Sequence, residues 1–159
     1  MRVVVVVVAL SACVASAYAS TQVSSSFCSR FSASALSKIV GTKVTGPVPT
    51  VAKSKQLVLC SFGQGNSYLK SFEIDEQLGV AGSLKAAEQV VVQQNKRYGV
   101  KVATVSGLSA PAFSWTLTVA GVKETGVDAL VGTTGIAADG PLLTLSSATA
   151  IVKLALKTT

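Results

Sequence analysis

Along AFSWTLTVA (residues 112–120) apolar and polar side chains alternate. Phe113, Trp115, Leu117 and Val119 fall on one side, Ser114, Thr116 and Thr118 on the other. A period of two is that of a strand with one buried face. The same period marks KQLVLCSF, with a strand over Gln56–Phe62, and SYLKSFEID after the turn GQGN, so these two runs predict a hairpin. Val100–Val105 and VDALVGTTG (residues 127–135) read as further strands, with GVKETG as the turn region before the second.

Elsewhere the period lengthens to that of a helix. In FCSRFSASALSKIVG, Leu36, Ile39 and Val40 repeat at helical spacing, Ser32 is a suitable N-cap and Gly41 a suitable stop. LKAAEQVVVQQNKRYG carries a stripe of Leu84, Ala87, Val90 and Val91 after Ser83, and ends at Gly99. A last helix is expected from DGP onward, with Pro141 at its first turn and Leu142, Leu145, Thr149, Val152 and Leu156 on its buried side. A strand over Pro141–Leu145 followed by a shorter helix is the competing reading. The order α-β-β-α-β-β-β-α predicts an α+β domain, an antiparallel sheet of about five strands with helices packed on one face. GPVPT, with Pro47 and Pro49, is left extended or turning.

The first residues follow neither period. Arg2 and the apolar run Val3–Leu10 read as an export leader, too short for the roughly 20 residues of a membrane span. Two processing signals then overlap. Leu10-Ser11-Ala12-Cys13 is a lipobox that would place a lipid on Cys13; Ala17-Tyr18-Ala19 before Ser20 is a site for ordinary signal peptidase. Only 12 residues precede Cys13, so the proportions favour cleavage between Ala19 and Ser20. The expected organisation is a signal peptide over 1–19, a flexible lead over 20–26 and one domain over 27–159. The protein is then secreted or at the cell surface, lipid-anchored if Cys13 is the modified residue, with no transmembrane span in the mature chain.

Export changes the meaning of the cysteines. With Cys13 in the leader, Cys28 and Cys60 are left as a pair, which reads as a disulfide. The 31 residues between them exclude a redox C-x-x-C motif, and the lack of histidine excludes the usual mixed zinc sites.

Charge narrows the partners. The chain has 14 basic residues against 7 acidic ones, a net charge of +7. The basic residues are scattered without interleaved aromatics, which argues against nucleic acid and leaves a solvated basic surface or attraction to an anionic cell-envelope surface. The absence of histidine also removes Ser-His-Asp and Cys-His catalysis. EIDE, with Glu73, Asp75 and Glu76, is the only run of acids; it reads as the polar end of a strand, with a weak calcium or acid/base site as the sharper alternative. Nothing in the spacing marks two carboxylates as convergent. The glycines of FGQGNS and VAGS match no phosphate-binding spacing, so no cofactor is expected.

Several stretches together resemble a known group. A Cys28-led helix ends at Gly41; Cys60 lies in LCSF; VSGLSAPAF (residues 105–113) precedes the aromatic strand; IVKLALKT closes the chain. This order resembles the small exported lipoproteins of unknown function from high-GC Gram-positive bacteria, with Ser109 standing where such relatives carry a second glycine. The resemblance implies a location and a fold, strengthens the Cys13 reading, and implies no reaction.

The expected function is therefore an exported, non-enzymatic binding or structural module. The alternative is a carrier of an apolar or lipid ligand in a pocket lined by Val91, Trp115 and Leu145, in keeping with 49% hydrophobic residues. An enzyme would require the acids around Asp75 to converge with Tyr68 or a lysine.

Overall fold

The structure is a computed structural model describing residues 25–52, 54, 56–65, 67–80 and 82–157. Ala19, Ser20 and Cys13 lie outside the described residues. Among the described residues the fold is α+β, with one antiparallel sheet of seven strands and three α-helices. The strands are β1 (Thr45–Val51), β2 (Leu57–Gly63), β3 (Ser71–Leu78), β4 (Lys101–Val105), β5 (Ala112–Val119), β6 (Val122–Val131) and β7 (Thr134–Gly140). The helices are α1 (Ala33–Val40), α2 (Leu84–Asn95) and α3 (Leu145–Lys157). The sheet order is β1-β2-β3-β7-β6-β5-β4. Two meanders, β1 to β3 and β4 to β7, are thus joined side by side through β3 and β7.

The helix caps form as the sequence predicts. The Ser32 side chain accepts from the Ala35 N–H at 3.1 Å, and Gly41 closes α1 at φ 78°. The Ser83 side chain accepts from the Ala86 N–H at 3.3 Å. Each helix then buries its apolar side, but not on a single face. Leu36 of α1 and Ala148, Ile151, Val152 and Ala155 of α3 join Val58, Cys60, Phe62, Phe72, Ile74, Val127 and Ala138 in the main core. Val91 of α2 packs with Phe113, Trp115 and Leu117, which leave β5 on the opposite side. The expectation of helices on one face is therefore corrected. At Ala112–Trp115 consecutive residues of β5 are all buried, so both faces of the sheet are covered there.

Two strands were not expected, and physical reasons are visible for both. β1 carries Pro47 and Pro49 and lies at the sheet edge, the one place where a missing N–H costs no ladder bond. β7 is TGIAADG, poor in β-branched residues because its neighbours crowd it. A Cβ on Gly140 would fall 2.7 Å from Phe72 Cα, and one on Gly135 would fall 3.1 Å from Val80 Cγ2. Three boundaries also shift. A 3-10 turn, Tyr68–Lys70, precedes β3. The turn read into GVKETG is only Ala120-Gly121, both at positive φ (50° and 81°), so β6 begins at Val122. α3 starts at Leu145, where Ser147 and Thr144 bond reciprocally, and not at Pro141.

Cys28 and Cys60 form a disulfide. Cys28 sits on a 3-10 helix, Ser25–Arg30, so the bridge anchors the segment before α1 to β2 rather than α1 itself. That 3-10 helix also takes up the end of the expected flexible lead. Phe27 and Phe31 pack edge to face at 5.2 Å beside the bridge, all within the main core. Closing a loop of this length stabilises by about 3–4 kcal/mol on chain-entropy grounds. The double variant Cys28→Ser, Cys60→Ser should melt about 10 °C or more below the parent. Amide exchange should show Ser25–Arg30 and α1 losing protection before the sheet does.

Candidate functional site

Strand alternation sorts the acids. On β3, Phe72 and Ile74 enter the main core, so Glu73 and Asp75 leave on the other face. On β6, Val127 and Ala129 enter the core, and Glu124, Gly126 and Asp128 face away. On β7, Ile136 and Ala138 enter it, and Asp139 faces away. Five of the chain's seven acids therefore share one face of the sheet.

Register then brings them together. Glu73 stands opposite Asp139, and Asp139 opposite Gly126. Asp75 stands opposite Ala137, which is opposite Asp128. Asp139 is the hub, with Glu73 beside it and Asp75, Asp128 and Glu124 on its diagonals. Opposed residues in antiparallel sheets hold their Cβ atoms about 4.5–5.5 Å apart, and diagonal ones about 7–8 Å.

The electrostatics follow from this crowding. Burial pushes Asp75 up to about 8, and the charges of Asp128 and Glu73 add to the effect. Burial lifts Asp128 to about 7 against the opposing pull of its hydrogen bond from Trp115. Asp139 is raised well above the usual carboxylate range by burial, then by Asp75, Asp128, Glu73 and Glu124. Among the described residues no lysine or arginine forms an ion pair with any of them.

Neutral donors hold three of the five in place. The Ser61 hydroxyl donates to Glu73 Oε1 at 2.9 Å. The Tyr68 hydroxyl donates to Glu124 Oε1, tying the 3-10 turn to the sheet, and burial with this bond raises the phenol's pKa. The Trp115 Nε1–H donates to Asp128 Oδ2 at 2.6 Å. Its indole lies across Gly126, where a Cβ would fall 2.3 Å from Cε2. Trp115 is 3% exposed, so it forms the wall between the acids and helix α2 and offers no open stacking surface.

Val91 and Trp115 meet in the cluster under α2. Leu145 does not join them; it is 50% exposed at the start of α3, the helix that packs against the main core. Of EIDE, Glu73 and Asp75 belong to the array, whereas Glu76 lies in register with Val58 and Ile136, whose side chains face the main core. The absence of a convergent acid pair is overturned: Asp75, Asp139 and Asp128 do converge, near a Tyr68-bearing turn. The spacing signal was present in Glu73-x-Asp75 and Glu124-x-Gly126-x-Asp128. It needed β7 between β3 and β6 to become a cluster. Among the described residues, no group of acids and cysteines has the arrangement to hold a metal ion.

Raised carboxyl pKa values mean that the folded chain holds protons the unfolded chain has released. The stability these groups contribute is then full below about pH 4, the unfolded carboxylate range, and is lost as pH rises through the folded values near 7 and 8. Urea midpoints should fall from pH 5 to pH 8.5, and Asp139→Asn should flatten that slope. Gly126→Ala should drive the single tryptophan from its seat, costing about 1–3 kcal/mol with a red-shifted emission.

No protein-family model, no curated protein and no solved structure matches this chain.

Proposed function

We propose that this chain is an exported, non-enzymatic binding module whose ligand is an organic cation held on the acidic face. One observation carries the reading: five half-buried or buried carboxylates share a surface with no cation paired to them among the described residues, in a chain with twice as many basic as acidic residues. Crowding like charges without a partner is unfavourable, and an ammonium or guanidinium group from outside would supply the missing charge. Helix α2 packs over β4 and β5, while the acids occupy β3, β7 and β6. Beside them, Leu57 and Leu59 of β2 are half-buried on the same face, and Val48 of β1 is 64% exposed there. The ligand therefore has an apolar portion as well as a charge. An apolar part also retains what the carrier alternative offered, without needing Leu145.

The non-enzymatic reading draws support from how the carboxylates are held. Glu73, Glu124 and Asp128 are engaged by fixed neutral donors, and the chain supplies no histidine to work beside them.

Spermine is a suitable probe by isothermal titration calorimetry. Because Asp75 and Asp128 titrate near 8 and 7, binding should release protons and tighten between pH 6 and pH 8.5. Asp139→Asn should weaken it severalfold, and Glu76→Gln, on the other face, should leave it unchanged. An absence of heat at both pH values, or equal binding by Asp139→Asn, would overturn the proposal.

A further inference from the structure

The sheet has a second uncovered surface, and its charge is opposite. Helix α3 covers β6 and β7 on the main-core face; at the β4–β5 end of that face Ala112 and Ser114 stay buried, while Thr116 is half-buried and Thr118 exposed. Lys101 stands in register with Thr116, and Thr118 with Lys123. Alternation puts all four on this face, the two threonines in the middle and a lysine on each side. With Tyr98 and Gly99 they line a depression of about 230 Å³.

We propose that this depression is a binding site for a small oxyanion, a phosphate or sulfate group, held between Lys101 and Lys123. The donors are of the right kind: ammonium groups act as point charges toward such anions, and threonine hydroxyls donate to their oxygens. No carboxylate lines the depression, and Glu124, next to Lys123 in sequence, is buried on the opposite face. Neither lysine forms an ion pair among the described residues, so both charges are available. The volume lies below the roughly 300–1,000 Å³ of pockets that enclose a whole organic ligand. It suits an anionic group that is either free or the exposed end of something larger, such as a lipid headgroup.

The test is a titration of the folded, isotope-labelled protein with inorganic phosphate and with sulfate, followed by amide chemical shifts, with chloride as the ionic-strength control. Saturable shifts should centre on Gly99, Lys101, Thr118 and Lys123. Lys101→Met and Lys123→Met should each weaken binding about tenfold, the size of one lost charge-assisted contact. Lys153→Met, on the exposed side of α3, should not. Shifts that never saturate, that spread equally to Lys153, or that survive both substitutions would overturn the proposal. Vesicles of phosphatidylglycerol compared with phosphatidylcholine separate the two sources. Capture by the former that is lost in Lys101→Met and Lys123→Met assigns the site to a headgroup. Saturable phosphate binding without vesicle capture assigns it to a free anion.

Discussion

Everything in this molecule depends on the pairing of β3 with β7. It is the single ladder that joins the β1–β3 meander to the β4–β7 meander, and it joins strands more than fifty residues apart in the chain. On one side of the sheet it sets Ile74 beside Ala138 in the main core; on the other it sets Glu73 beside Asp139. A slip of one residue would exchange the two sides and bury the carboxylates under α3. The apolar face thus enforces the register, and the register assembles the acids.

The small residues of β7 make this pairing tolerable. Gly140 admits the Ser71–Phe72 backbone and Gly135 admits the Val80 side chain, so neighbouring groups press close against the strand. Gly126 does the same for Trp115 one strand further on. The strand positions that look weakest by β-propensity are those where another group approaches the backbone most closely.

This is also why part of the structure was legible in the sequence and part was not. The helix caps at Ser32 and Ser83, the alternation of β5 and the Cys28–Cys60 pair are local or compositional signals, and they read correctly. β7 has no such signal, because its residues answer to Phe72 and Val80, which are distant in sequence. Without β7 the strand count is short and the acids look scattered. The position of α2 on the far face was hidden for a related reason. The Phe113 and Trp115 side of β5 announces a buried face, but the Ala112 and Ser114 side is buried as well, and alternation does not say which helix covers which.

The two prolines of β1 bear on how molecules of this protein meet one another. Pro47 and Pro49 occupy alternate positions of an edge strand, so the outward side lacks two of the N–H groups that an incoming strand would seek. The opposite edge, β4, carries no proline. Sheet-to-sheet contact between copies can therefore use one border only. Two molecules joined along β4 would present a proline-bearing border at each end, and a growing fibril would have nowhere to continue.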